Sequence, residues 1–301
     1  MLNPIIFSIP EKKIIKDIPI KTKILSDILP GELHTYIYTN ETEYYLEYAR
    51  SYFGITMKKA GWDCMRHYEI IANGCIPYFI NIDKCPPNTM ALWPKELLIE
   101  GIQLYDNFFK NKNIDDLTID IIDKYNKLLN KLLDYTRSHL TTKSIGNYII
   151  GKTNLNQYLN KNLKILFISG DTSPDYLRCL TLHGLKEIYG DNCHDFPKIE
   201  HIYKNECINY NKLYGKGFTY TNLLDQSLHN DNLDKLIIDD IITKKYDLII
   251  YGSYHRGMPL YDLINKTYEP NRIVLLCGED LHCCNHQIFL DNGHIIFVRE
   301  L

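Results

Sequence analysis

Residues 161–190, KNLKILFISGDTSPDYLRCLTLHGLKEIYG, decide how this chain has to be read. A charged lead-in runs into ILFIS, an uninterrupted apolar stretch of the kind a strand buried on both faces requires. Gly170 and the turn DTSPD stop it. YLRCLTLHGLKEIYG then carries apolar residues at helical spacing. Strand, glycine turn and helix in that order open a Rossmann-like unit. Three further buried-strand runs follow, DLIIYGS (247–253), RIVLLCGED (272–280) and HIIFVREL (294–301), separated by helical or loop segments. Residues 161–301 are therefore expected to form an α/β domain with a mainly parallel sheet. The chain has no GxGxxG and no GxxxxGK[ST], so neither a standard dinucleotide site nor a P-loop is expected.

Upstream, ELLIEGIQLYDNFFKN (96–111) and DDLTIDIIDKYNKLLNKLLDYTRSHL (115–140) repeat apolar residues every three or four positions. They predict two long amphipathic helices, whose polar faces mix both charge signs, and residues 101–160 read as a helical connector. Residues 1–100 combine strand-like pieces (IIFSI, 5–9; TYIY, 35–38; FGITM, 53–57; CIPYFI, 75–80) with the helical ETEYYLEYARSY (41–52), a second α/β pattern. The fold class expected is α/β, with an α/β part at each end of the chain, the second opening as a Rossmann-like unit, and long helices between them.

The chain has 301 residues, enough for two domains, with 45% hydrophobic and 24% charged residues. A formal net charge of -3 provides no general basic field, so nucleic acid is not an expected partner. MLNPIIFSIPEKK lacks the parts of a secretory signal, and no apolar run approaches a membrane span; a soluble, cytoplasmic protein is expected. Nine cysteines, scattered without a pair of CxxC motifs, fit reduced thiols better than a disulfide framework or a structural zinc site. Alanine occurs only at positions 49, 60, 72 and 91, a bias of AT-rich genomes.

The most informative segment for chemistry is GWDCMRHYEIIANGCIPYFIN, residues 61–81. Asp63 is placed to cap a short helix with Cys64, Met65, Tyr68, Ile71 and Ala72 on its apolar stripe, and Asn73-Gly74 suit a left-handed stop. Arg66 and Glu69 then share one face near the positive helix end. A pyrophosphate there would meet backbone amides and a guanidinium able to donate two parallel hydrogen bonds, with Glu69 in reach of a ribose diol. The competing reading is an intrahelical ion pair on a solvated face, worth at most ~0.5 kcal/mol.

The stretch YFGITMKKAGWDCMRHYEIIANGCIPYFI, residues 52–80, resembles the sugar-nucleotide-binding segment of exostosin-like glycosyltransferases: an apolar strand, a loop, Arg followed by an acid on a helix, then Gly-Cys-Ile-Pro into a strand. The matching residues are Arg66, Glu69, Gly74, Cys75, Ile76 and Pro77. The resemblance implies a GT-B fold of two Rossmann-like domains facing a cleft, here in permuted order because the donor half comes first. It also implies inverting, metal-independent transfer from a nucleotide-diphosphate sugar, UDP by analogy, to a glycan or other hydroxyl acceptor, with no bound cofactor. Arg66 would bind the donor phosphates and Glu69 the ribose, with Lys58 and Lys59 adding charge from the preceding loop.

An inverting transfer needs a base, expected on the opposite domain in the loops after strands. Asp171 is the first choice and His255 the second, the alternatives being a helix cap and a hydrogen-bonded loop histidine. Arg256, Glu279, Asp280 and His282 are candidate acceptor or phosphate contacts. His282, Cys283, Cys284 and His286 invite a zinc reading, but without further ligands at a recognisable spacing a reduced cysteine pair is preferred and no metal is expected. A non-catalytic glycan- or nucleotide-binding protein is the alternative function.

Overall fold

The computed structural model describes residues 1–153, 155, 162–205, 208–281 and 285–301. The chain forms two compact units, one of Ile9–Thr141 and one of Met1–Ser8 with Thr142–Leu301. The first strand, β1 (Leu2–Pro4), thus belongs with the distant carboxy-terminal half.

In the unit of Ile9–Thr141, β2 (Lys23–Leu25), α1 (Glu41–Ala49), β3 (Ser51–Met57), α2 (Met65–Ala72) and β4 (Ile76–Ile80) alternate. The three strands make a parallel sheet in the order β2-β3-β4. Gly74 ends α2 at φ +71°, as the Asn-Gly stop predicts, and a Cβ there would lie 2.4 Å from Ile15 Cδ1. The cap differs from expectation: Cys64 is the N-cap without a side-chain bond, while Asp63 Oδ1 accepts from Tyr68 OH at 2.9 Å.

Two long helices follow, α3 (Lys95–Leu104) and α4 (Ile119–Tyr135), each running on into a π-helical turn. They are part of this unit and not a connector. The apolar stripe of α4, Tyr125, Leu128, Leu129, Leu132 and Leu133, is buried, and Tyr125 OH donates to the carbonyls of Tyr52 (2.9 Å) and Gly74 (3.1 Å). TYIY is not a strand; Leu33–Thr35 is a 3-10 turn there.

The larger unit starts with α5 (Thr142–Gly151) and continues β5 (Ile165–Ile168), α6 (Tyr176–Tyr189), β6 (Cys193–Phe196), α7 (Asp231–Ile242), β7 (Leu248–Tyr251), α8 (Tyr261–Thr267), β8 (Ile273–Cys277), α9 (Gln287–Asp291) and β9 (Ile295–Val298). The sheet is six-stranded and wholly parallel, in the order β1-β9-β8-β7-β5-β6. Every residue of β5, β7, β8 and β9 is buried, which is why these segments read as continuous apolar runs. From β5 the chain moves out to β6, then returns past β5 to β7 and builds the other way. That reversal makes the carboxyl ends of β5 and β7 the topological switch point of the sheet, the place where open α/β sheets bind ligands. β1 completes the far edge in register Leu2↔Ile296 and Pro4↔Val298, an edge position that tolerates a proline.

Helices α5 and α6 touch at Gly184, where a Cβ would stand 2.0 Å from the Thr142 carbonyl oxygen. Backbone cannot move aside as a side chain can, so Gly184→Ala is expected to destabilise by about 3 kcal/mol or more, read from the urea midpoint. Gly151→Ala, with nothing within 4 Å of the new methyl, should stay within about 0.5 kcal/mol of wild type. Among the described residues no helix is long and apolar enough to cross a membrane.

Candidate functional site

The βαβ passage β3-α2-β4 brings Arg66 to the carboxyl edge of the small sheet, in the first turn of α2. All eight residues of α2 are buried, so the solvated-face reading of Arg66 and Glu69 does not apply. Glu69 Oε2 accepts from Tyr44 OH at 2.7 Å, and that hydroxyl lies 3.4 Å from Tyr48 OH. Burial pushes both phenols well above their ordinary pKa, so they remain neutral donors. Among the described residues Arg66 forms no ion pair; its guanidinium lies 5.8 Å from the Tyr36 ring centroid. Arg66 is 9% exposed, and its Nε and Nη1 are buried without an aligned acceptor; the Tyr36 hydroxyl, also without an aligned partner, adjoins the guanidinium, which offsets part of the rise that burial gives the Tyr36 pKa.

Orphaned donors of this kind cost about 1–3 kcal/mol each, more on a charged group. The helix start beside them has no side-chain cap. Together they form a cationic donor set suited to an anion. His67, in contrast, is satisfied: its ring bridges Thr56 Oγ1 and the Trp62 carbonyl, each at 2.8 Å, and holds the β3–α2 loop on the helix. Lys58 and Lys59 are exposed in that loop, with Lys58 Nζ 5.4 Å from the Trp62 ring centroid.

In the larger unit the loops after β5, β7 and β8 carry Asp171, His255 with Arg256, and Glu279; Asp171 and Arg256 meet at Ser173, and His255 lies beside Glu279. Asp171 Oδ1 accepts from Ser173 N (3.0 Å), Ser173 Oγ (2.7 Å) and Arg178 Nη1 (3.2 Å). Burial would raise its pKa, but these partners outweigh it and hold the carboxyl below its usual value. A carboxylate stabilised in this way is a poor base. The cap of α6 is Asp175, whose Oδ1 accepts from Arg178 N at 2.9 Å. Its Oδ2 takes Ser253 Oγ at 2.8 Å and lies 3.3 Å from Arg256 Nε.

Arg178 is fully buried and donates to the Asp171 carbonyl at 2.6 Å and to the Ser173 carbonyl, while Arg256 Nη1 donates to Ser173 Oγ at 2.7 Å. The loops after β5 and β7 are thereby clipped together. Gly170 permits their approach, since a Cβ there would stand 2.4 Å from the carbonyl oxygens of both Arg256 and Gly257.

His255 sits over this clip. Its Nε2 is 2.7 Å from Glu279 Oε1, but out of line for a hydrogen bond, and both ring nitrogens are buried without a hydrogen-bond partner. Burial lowers its pKa below the ordinary 6.5; Glu279 and Asp175 pull it back only in part, and Arg256 and Arg178 reinforce the lowering. The imidazole is neutral at pH 7 and able to accept a proton.

Asp280 is not part of the group: its carboxylate is paired with Arg299, which also holds Glu300 at 2.8 Å. His282, Cys283 and Cys284 lie outside the described residues. Sequence reasoning missed Asp175, Arg178 and the tyrosines around Arg66; the acidic residue immediately before the helical YLRCL is the one local signal that marks Asp175 as the cap. The chain matches no family model, no curated protein and no solved structure, so its function has to be read from this geometry.

Proposed function

We propose that the chain is a glycosyltransferase of the GT-B type, inverting and metal-independent at the diphosphate, that moves a sugar from a UDP-sugar to a hydroxyl of a glycan or other acceptor. The observation that carries this reading is Arg66, a buried guanidinium with unpartnered donors at an uncapped helix start. Departure of a nucleoside diphosphate places negative charge on the β-phosphate, and Arg66 with the first amides of α2 supplies fixed positive partners for it. Glu69, positioned by Tyr44, lies one turn further along for the ribose hydroxyls.

The second requirement is removal of the acceptor proton. His255 suits it better than Asp171, because His255 is neutral with unbonded ring nitrogens whereas Asp171 is held as a stabilised anion. Glu279 beside the ring stabilises the imidazolium once the proton arrives.

The test is release of UDP from a panel of UDP-sugars in EDTA, with glycan acceptors. Wild type is expected to turn over one of them, and Arg66→Ala and His255→Ala to lose at least ~100-fold. Undiminished turnover in both variants would remove the site assignment. UDP binding without any turnover would favour a non-catalytic nucleotide-binding protein.

A further inference from the structure

A second group of ligating side chains lies on the edge strand β6, apart from the loops after β5 and β7. His194 is in β6, His229 directly precedes the Asn230 cap of α7, and Asp234 is in the first turn of α7. His194 Nε2 is 2.9 Å from Asp234 Oδ1 and His229 Nε2 is 3.3 Å from Asp234 Oδ2. One ligand atom from each of the three residues falls within 4.8 Å of the others. The two imidazoles stack with ring centroids 5.5 Å apart.

At 2.9 Å a hydrogen bond between His194 and Asp234 would be expected, yet the alignment is missing. His194 Nε2 and Asp234 Oδ1 are both buried without a hydrogen-bond partner, and His194 is only 3% exposed. His194 Nε2 and Asp234 Oδ1 thus converge without bonding, an arrangement that leaves room for a third body, while the other carboxylate oxygen, Oδ2, is hydrogen-bonded to His229 Nε2 at 3.3 Å. The outer groups agree. His229 Nδ1 is 3.2 Å from Asp195 Oδ1 and its Nε2 is 3.3 Å from Asp234 Oδ2; with the ring proton donated to Asp195, the Nε2 hydrogen bond is given up and its lone pair is left for a metal. Asp195 is itself fully buried and fixed by Lys186 Nζ (2.8 Å) and Tyr203 OH (2.6 Å). A carboxylate behind a histidine, setting its tautomer, is the usual support of a metal-bound imidazole.

We propose that His194, His229 and Asp234 bind a zinc ion that ties the edge strand β6 to α7. Two imidazoles and one carboxylate suit zinc, and the exposed Asp231, 3.3 Å from His229 Nε2, offers a fourth oxygen beside a cavity of about 530 Å³ that both histidines line. This site departs from the expectation of a metal-free chain and is independent of the transferase reading.

The experiment uses the full chain, stripped with chelator and titrated with Zn²⁺ by calorimetry, with metal content measured after dialysis and Co²⁺ as a spectroscopic substitute. Wild type should take one ion per chain, melt at a higher temperature when loaded, and give the intense visible bands of tetrahedral Co²⁺. His194→Ala and the milder Asp234→Asn should lose the ion. Asp195→Asn should keep the stoichiometry but bind about 10–100-fold more weakly. Melting of the chelated variants close to the chelated wild type shows that the loss is of ligands and not of fold. A wild type that takes up no ion, or an Asp234→Asn variant that binds zinc as wild type does, overturns the proposal.

Discussion

Arg66→Met is expected to leave the stability of the ligand-free protein within about 1 kcal/mol of wild type, whereas Arg178→Met should lower it by about 3–5 kcal/mol. Both arginines are buried, at 9% and 0% exposure, and burial alone would predict similar penalties. Their partners differ. Arg178 donates to the carbonyls of Asp171 and Ser173 and pairs with the Asp171 carboxylate, so truncation strands three acceptors and unclips the loop after β5. Arg66 has no bonded acceptor at Nε or Nη1 to strand, and a methionine of similar length still covers Tyr36. Urea denaturation of the two variants beside wild type measures the contrast. A loss of about 3 kcal/mol in Arg66→Met would make it a structural arginine and remove the reason to place an anion there.

Replacing His255 by alanine is expected to lower kcat by about 100- to 10,000-fold, the usual contribution of a positioned base, while leaving UDP affinity near wild type. Asp171→Asn should cost far less, because its carboxylate is committed to Ser173 and Arg178. The pH profile separates the two candidates further. The native pKa of His255 lies below 6.5, so the acid limb of kcat/KM should fall below pH 6.5. Glu279→Gln removes a charge that favours the imidazolium and should move that limb to still lower pH.

Stability follows from the same burial. His201 is pushed down to about 4, and His255 is also lowered from 6.5. Between their native values and 6.5 the unfolded chain binds more protons than the folded one, so these two groups make stability rise with pH across that window.

The sequence carried the larger sheet well because fully buried parallel strands leave a plain mark: ILFIS, DLIIYGS, RIVLLCGED and HIIFVREL have few other places to go. It carried less where a partner decides. β1 pairs with β9 at the other end of the chain, and nothing local distinguishes Leu2–Pro4 from the adjacent IIFSI. The stripe of α4 announces a buried helix face but not the unit that buries it. TYIY fails because its aromatic rings pack sideways, Tyr38 edge-on against Tyr44 at 6.1 Å, without forming a ladder.

At the candidate site, the spacing of Arg66 and Glu69 was legible and their burial was not, since it depends on Tyr36, Tyr44 and Tyr48 from the segment before β3. In DTSPD the cap reading fell on Asp171, but the helix starts at Tyr176 and Asp175 is its cap. His194, His229 and Asp234 form no motif along the chain, because a strand and a later helix bring them together only in the fold.

The central claim is that Arg66 holds a nucleoside diphosphate. The most direct test is calorimetric titration of UDP into the full chain and into Arg66→Met, both in EDTA. Charge-assisted hydrogen bonds contribute about 1.5–3 kcal/mol each, so losing two predicts at least ~100-fold weaker binding in the variant, against a single site on wild type. Equal affinity in both proteins, or no UDP binding to wild type, would contradict the account.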